Sequence, residues 1–228
     1  LEDALGLPVR LEHDANSAAW GEYRFGAAID AETWVFFAVG TGIGATLMHR
    51  GEIYRGAFGT APEFGHLTVV PGGRVCSCGK KGCLERYASG TSLVDCAVET
   101  ATQGRYVDCA LYRKVVDKRA NGQDVMAAAR EGDELGLAAL SSFSTWLGRG
   151  LSVVSDVLDP SLIVIGGGVS ADADLFLDAA RREMEANIVG AGYRPVPQVL
   201  CAELGPQAGM IGVADLARER SGDAIGTC

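Results

Sequence analysis

TWVFFAVGTGIGATLMH, residues 33–49, is the stretch that decides the fold. Two apolar runs flank a glycine-rich turn, so the stretch predicts two strands joined as a hairpin. Backbone N–H groups come close together at such a turn, which makes Gly40, Thr41 and Gly42 candidate contacts for phosphate oxygens. An ordinary glycine-rich hairpin turn is the alternative. No lysine follows, which excludes a Walker loop, and the strand that comes next argues against a dinucleotide fingerprint.

Helices and strands alternate on both sides of this hairpin. The pattern predicts a strand over 8–14, a helix over 16–26, a helix from the cap Ser89 to about Thr102, a less regular region over 104–122, a long helix over 133–158, a buried strand followed by the glycines of 166–168, a helix over 174–187, a strand over 197–201 and a last helix after 205–212. The predicted fold class is therefore α/β.

One short stretch holds a complete set of ligands for a metal ion. His66 is followed after nine residues by CSCGKKGC, which supplies Cys76, Cys78 and Cys83. Three thiolates and one imidazole form a tetrahedral ligand set for zinc, and because the protein fills all four positions the site should be structural rather than catalytic. The alternative is a disulfide among the three cysteines beside an ordinary loop histidine, although a CxC pair makes a strained bridge.

Composition limits the classes of partner. The 228 residues carry a formal net charge of -9, which argues against nucleic acid or an anionic membrane as main partner. No apolar run is long enough for a membrane span, and no secretory leader is recognisable. The seven cysteines are odd in number and scattered, which indicates reduced thiols and a cytoplasmic location.

Two further motifs have both a chemical and a structural interpretation. In EHDAN, residues 12–16, Asp14 is a candidate general base, although an aspartate before a helix is often only a cap. In IGGGVS, the glycines Gly166, Gly167 and Gly168 would let a nucleotide base or ribose approach the backbone, although tight strand-to-helix packing also explains them.

The order of these motifs is more specific than any one of them. EHDAN at 12–16, VGTGIGATLMHRGEIYRGAFGTAPEFGH at 39–66, CSCGKKGCLERYASG at 76–90 and IVIGGGVS at 163–170 resemble the ROK family of sugar kinases and sugar-responsive repressors, and within it most of all the bacterial glucokinases. The resemblance covers nearly the whole chain. It implies an actin-like ATPase (ribonuclease H-like) fold, mainly the larger of its two domains, in which ATP with Mg²⁺ phosphorylates the 6-hydroxyl of a hexose, glucose being favoured.

The resemblance also implies a role for each motif residue. Asp14 would be the catalytic base. The sugar hydroxyls would be contacted by His13, Asp14, Asn16, Glu63, His66 and Glu85. The nucleotide would be contacted by Gly40, Thr41, Gly42, Gly166, Gly167 and Gly168, and a structural Zn²⁺ would be held by His66, Cys76, Cys78 and Cys83.

Two departures from the family pattern stand out. His13 occupies the position before the base where the family usually carries asparagine, and no DxGGT-type phosphate loop occurs in the chain. We therefore expect a small N-terminal domain to precede Leu1. On this interpretation residues 1–14 are the end of that domain and a hinge, residues 15–205 are the large domain with its zinc loop at 66–83, and residues 206–228 form a helix that packs back on the small domain.

The resemblance leaves other functions open. A ROK repressor would bind sugar in the same cleft, a kinase for an N-acetylhexosamine or fructose would use the same base, and a shortened chain could be a non-catalytic sugar-binding remnant. For each of these we expect a homo-oligomer that binds neither membrane nor nucleic acid through this chain.

Overall fold

A five-stranded mixed sheet lies at the centre of the chain, of which the computed structural model describes residues 1–9 and 11–223. The strands are β1 (Thr33–Val39), β2 (Ile43–His49), β3 (Glu52–Tyr54), β4 (Leu162–Gly166) and β5 (Gln198–Cys201), in the spatial order β3-β2-β1-β4-β5. Antiparallel pairing joins β3 to β2 and β2 to β1, whereas β4 runs parallel to β1 and β5 parallel to β4. The predicted hairpin and the two later strands are confirmed, and β3 is an addition to them.

Helices cover both faces of this sheet. They are α1 (Glu2–Leu5), α2 (Asp14–Phe25), α3 (Gly90–Thr102), α4 (Ala110–Val116), α5 (Gly122–Arg130), α6 (Glu134–Leu158), α7 (Ala173–Asn187) and α8 (Ala208–Asp223). Successive side chains of β1 point to opposite faces. Val35 and Phe37 accordingly pack in a large cluster with α3 to α7, whereas Trp34 and Phe36 pack in a smaller one with α2 and α8. The predicted α/β class is confirmed.

Local signals set the ends of the helices that were predicted correctly. The Ser89 hydroxyl accepts the N–H of Ser92 at the start of α3. Asp133 caps α6, where its carboxylate accepts the N–H groups of Leu135 and Gly136 at 3.0 and 3.1 Å. Such caps satisfy donors that the first turn of a helix leaves free. None of the helices in the described part of the chain has the length and apolar character to cross a membrane.

The strand predicted over residues 8–14 is wrong. No strand forms in the described part of this range, and α2 already begins at its last residue. In a strand, the backbone N–H groups of this segment would donate to a neighbouring strand. Here carboxylates accept two of them instead: Glu2 Oε1 accepts the N–H of Val9 at 2.8 Å, and Glu12 Oε1 accepts the N–H of His13 at 3.0 Å. The segment is therefore held by carboxylates and not by a ladder of backbone hydrogen bonds.

Two helix predictions also need correction. The region 104–122 contains the whole of α4, and α5 begins at its last residue. The last helix begins at Ala208, within the range 205–212 that was expected to precede it. One glycine in each place serves a close contact inside a helix: a Cβ at Gly122 would lie 2.9 Å from the Gly90 carbonyl oxygen, and a Cβ at Gly212 would collide with the Ser17 carbonyl of α2.

The described part of α8 packs against α2 of the same chain. A Cβ at Gly21 would lie 2.5 Å from the Ala208 carbonyl oxygen, so a glycine there lets the two backbones approach. Trp20 Nε1 donates to the buried Asp215 at 3.0 Å. Contact between the last helix and a further domain stays a prediction.

The far end of α2 is anchored by a carboxylate. Glu22 is fully buried, and it accepts the backbone N–H groups of Ala27, Glu203 and Leu204 at 2.9, 3.0 and 2.8 Å. The bonds from Glu203 and Leu204 join the end of α2 to the segment that leaves β5 and enters α8, and the bond from Ala27 closes the turn after α2.

Candidate functional site

The β1–β2 turn opens into a pocket of about 500 Å³. Its lining includes Gly40 and Thr41 of the turn, Gly90 at the start of α3, Gly122 at the start of α5 and Gly168 after β4. The turn is fixed to α3, because Gly90 N donates to the Gly40 carbonyl at 2.7 Å and the Thr91 hydroxyl donates to the Thr41 carbonyl at 2.7 Å. Helix N-termini carry a partial positive charge and free N–H groups, so this pocket suits a ligand with phosphate groups.

The three glycines after β4 divide between two roles. Gly168 lines the pocket, as the chemical interpretation of the motif requires. A Cβ at Gly166 would lie 2.5 Å from the Phe36 ring, and one at Gly167 would lie 2.5 Å from the Val39 carbonyl oxygen. Tight packing, the alternative interpretation of this motif, accounts for Gly166 and Gly167, and their contact with a nucleotide stays a prediction.

The start of α5 contributes residues that the sequence analysis missed. Asn121, Gln123 and Met126 line the same pocket. The signal was available, since Asn121 and Asp124 form a capping box: the Asn121 side chain accepts the N–H of Asp124 at 3.0 Å, and the Asp124 carboxylate accepts the N–H of Asn121 at 2.9 Å. Asn121 and Gly122 were instead expected in the less regular region over 104–122.

The four predicted metal ligands converge. The ligand atoms of His66, Cys76, Cys78 and Cys83 all lie within 4.8 Å of one another. His66 Nδ1 is 3.6 Å from Cys76 Sγ, and Cys78 Sγ is 3.6 Å from Cys83 Sγ, which is too long for a disulfide. Zinc with bonds of about 2.3 Å to sulfur and about 2.0 Å to nitrogen spans tetrahedral edges of roughly 3.5 to 3.8 Å. The donor set and its spacing therefore fit zinc.

The thiols differ in their surroundings. Burial raises the pKa of Cys83 to about 12, helped by the hydrogen bonds that its thiol donates to the neighbouring cysteines, and burial also raises the pKa of Cys76. The backbone N–H of Lys80 lowers the pKa of the exposed Cys78. A cation in their midst would favour the thiolate form of all three.

Two carboxylates lie beside this cluster. Glu85 Oε1 is 3.0 Å from Cys76 Sγ and 3.7 Å from His66 Nδ1, and Glu63 Oε2 is 3.9 Å from His66 Nε2. The two ring nitrogens of His66 thus face different groups, one the cysteines and the other Glu63. A Cβ at Gly42 would lie 2.7 Å from Glu85 Oε2, so the glycine turn and the cysteine loop are adjacent.

Asp14 is the first residue of α2, and His13 is the N-cap. The Asp14 side chain is 97% exposed; its Oδ1 accepts the N–H of Ala15 at 2.8 Å and lies 3.4 Å from His13 Nδ1. The start of α2 packs on β2, since a Cβ at Gly44 would lie 3.2 Å from the Ala15 Cβ and 4.0 Å from His13 Cε1. The exposed Asp14 carboxylate therefore lies beside β2, the strand that follows the glycine-rich β1–β2 turn.

A network of side-chain hydrogen bonds holds Glu12 and Asn16, the residues on either side of His13 to Ala15. Asn16 is buried; its Nδ2 donates to Glu12 Oε1 at 2.9 Å, and its Oδ1 accepts the hydroxyl of Thr46 on β2 at 3.0 Å. The Glu12 carboxylate also accepts a hydrogen bond from each terminal nitrogen of Arg55, both at 2.7 Å. Burial alone would raise the pKa of Glu12, but the hydrogen bonds from Arg55, Asn16 and the His13 N–H outweigh it and lower the pKa to about 2.

The chain has a sheet covered on both faces, a pocket at the glycine turn and a His-Cys₃ cluster beside it, and it belongs to the ROK family. The family's sequence profile matches residues 1–220. The fold is that of the actin-like ATPases, as the sequence resemblance implied.

Three individual relatives show how similar the chain is to known members of the family. Glucokinase from Streptomyces coelicolor is 40% identical over 221 residues, which are 96% of this chain and 70% of that protein. The crystal structure of a ROK family glucokinase from Streptomyces griseus in complex with glucose and AMPPNP has a TM-score of 0.87 at 41% identity, and the match covers 96% of this chain and 70% of that one. The xylose repressor of Bacillus subtilis is 28% identical over 228 residues, which are 99% of this chain and 54% of that protein.

Proposed function

We propose that this chain belongs to an ATP-dependent glucokinase that transfers the γ-phosphoryl group of ATP to the 6-hydroxyl of glucose. The observation that carries the proposal is the exposed carboxylate of Asp14 at the start of α2, beside the strand β2 that leads from the glycine turn. The glucokinase relatives from two Streptomyces species, one of them bound to glucose and AMPPNP, support the choice of substrate and phosphoryl donor.

The chemistry assigned to Asp14 is general base catalysis. Asp14 takes the proton of the sugar 6-hydroxyl as that oxygen attacks the γ-phosphorus, the bond from the γ-phosphorus to the bridging oxygen breaks, and ADP leaves. Mg²⁺ arrives with ATP and neutralises charge on the phosphates. Gly40, Thr41, Gly168 and the starts of α3 and α5 bind the nucleotide, because they line one pocket at which two helices begin.

The proposed sugar-binding groups lie beside the start of β2, since a Cβ at Gly65 would collide with the Ile43 carbonyl and a Cβ at Gly42 would lie 2.7 Å from Glu85 Oε2. Glu63, Glu85 and Nε2 of His66 face the space beside the cysteine loop, where carboxylates accept pairs of sugar hydroxyls. His13 offers one ring nitrogen where the family usually has an amide. Asn16 is a proposed sugar contact as well: its amide already binds Glu12 and Thr46, and its second N–H can donate to a sugar hydroxyl.

Zinc is the proposed occupant of the His-Cys₃ cluster. Bound there, it would fix the loop that carries His66 at one end and precedes Glu85 at the other, and it would supply no ligand position for substrate. Protein purified in the presence of reductant should contain one zinc per chain by elemental analysis. Folded protein without metal would refute this assignment.

The domain division and the oligomeric state are proposals as well. Residues 15–205 would form the large domain of a two-domain kinase, and the exposed Met210 and Val213 of α8 offer apolar surface for association with a further domain or a second copy. Sedimentation of the complete gene product would distinguish a monomer from the proposed homo-oligomer.

The test of function is the substitution Asp14→Asn in the complete gene product, with hexose 6-phosphate formation as the assay. The amide keeps the size of the side chain but cannot take the proton, so kcat should fall by about 10²-fold or more while glucose affinity stays nearly unchanged. Equal losses in kcat and affinity would make Asp14 a sugar ligand, and retained turnover would remove it from the mechanism.

A further inference from the structure

Arg55 forms a bridge between two segments that carry separate parts of the proposed site. It directly follows β3, and its Nη1 and Nη2 donate to Glu12 Oε1 and Oε2, each at 2.7 Å. This geometry is the paired fork that makes arginine–carboxylate contacts both strong and directional. The Glu12 side chain is only 12% exposed, so water screens the pair less than it screens an ion pair at the surface.

On one side, the bridge controls the backbone around the proposed base. Glu12 Oε1 also accepts the N–H of His13 at 3.0 Å and Nδ2 of Asn16 at 2.9 Å. Asp14 lies between these two partners, and in the described part of the chain its carboxylate contacts the Ala15 N–H and His13 Nδ1. Glu12 therefore holds the chain on both sides of Asp14, and Glu12 is itself oriented by Arg55.

On the other side, the bridge holds the start of the segment that ends in the sugar-binding groups. The Arg55 carbonyl accepts the N–H of Ala61 at 3.2 Å, which closes the loop over 55–61. Glu63 and His66 follow two and five residues after that loop. Arg55 thus ties the loop that precedes these two side chains to the start of α2.

We propose that Arg55 is a positioning residue of the phosphoryl transfer, which sets the separation between the base Asp14 and the sugar-binding residues Glu63 and His66 through its forked contact with Glu12. The inference rests on the proposed glucokinase function for its kinetic consequence, but the bridge itself is a property of the fold. Arg55 does not line the pocket assigned to the nucleotide.

Arg55→Ala should lower kcat about 10- to 100-fold, because a displacement of about 1 Å between base and substrate costs up to roughly 10² in rate. The KM for glucose should rise several-fold, and the KM for ATP should stay the same. Arg55→Lys, which keeps the charge but loses the fork, should recover only part of the rate.

Arg50→Ala is the matched control. Arg50 lies in the β2–β3 turn and pairs with Glu32 at 3.1 Å, but both side chains are largely exposed and neither belongs to the site. Its kinetic constants should equal those of the unmodified protein. A loss of ATP affinity in Arg55→Ala as large as the loss for glucose, or unchanged kinetics in that variant, would overturn the proposal.

Hydrogen exchange separates this inference from the proposed function. Amides of residues 12–17 and of residues 55–63 should both exchange faster in Arg55→Ala and not in Arg50→Ala, whether or not any sugar is phosphorylated. A protein that shows this joint change but phosphorylates no hexose would refute the function and keep the bridge. Exchange that rises in one segment alone, or in neither, would refute the bridge.

Discussion

Glu22→Gln tests how strongly the end of α2 is anchored. Glu22 Oε2 accepts two backbone N–H groups, those of Ala27 and Glu203, and Oε1 accepts that of Leu204. A glutamine has one oxygen, so it can keep two of these bonds at best, and its amide group then meets a third donor. The variant loses a hydrogen bond to a charged group and leaves a buried N–H unpaired, which together should lower the free energy of unfolding by about 2 to 3 kcal/mol.

Denaturant titration followed by circular dichroism measures this loss, with the slope against denaturant checked for constancy. Glu32→Gln is the control, because Glu32 is largely exposed and pairs only with Arg50 in the described structure. Such a surface change should stay within about 0.5 kcal/mol of the unmodified protein. If Glu22→Gln is equally harmless, the three bonds do not anchor α2 and the reasoning fails.

Two further predictions concern the metal cluster and the buried carboxylate. Cys78→Ser should lose the zinc and lower the unfolding temperature, because metal-binding energy is also folding energy; addition of a chelator should lower it in the unmodified protein and not in the variant. Burial opposes the charge of Glu12, but its hydrogen bonds lower its pKa from 4.5 to about 2, so its contribution to stability should be complete above pH 4.5 and disappear as the pH falls towards 2. The difference in unfolding free energy between the unmodified protein and Glu12→Gln should shrink over that range, and a constant difference would contradict the assignment.

Local signals predicted much of the fold. Apolar runs next to glycines gave β1, β2 and β4, and side-chain caps such as Ser89 and Asp133 placed the helices that follow them. These features depend on neighbours within a few residues of the chain. The same holds for the His-Cys₃ set, which one stretch of 18 residues supplies.

Features that depend on distant residues were not predicted. A glycine in a sequence can indicate a turn or a close contact between backbones, and the sequence alone does not distinguish the two. Gly212 lies inside α8, where the absence of a side chain lets the Ser17 carbonyl of α2 pack against it. The Glu12–Arg55 pair spans 43 positions, and the Glu22 anchor reaches residues more than 180 positions away. The pattern of apolar and polar residues within a short window of sequence cannot predict contacts between residues so far apart.

All four donors of the metal cluster come from residues 66–83, and none comes from a strand of the sheet. The ligand set is therefore contiguous in sequence, but the stretch that carries it is built into the rest of the fold: Leu67 and Val69 pack on the large core cluster, and Arg74 pairs with Glu99 of α3 at 2.6 Å. Substitution of a single ligand could remove the ion while the sheet and the nucleotide pocket keep their residues. For protein engineering the unit to vary is therefore the ligand side chain and not the whole loop.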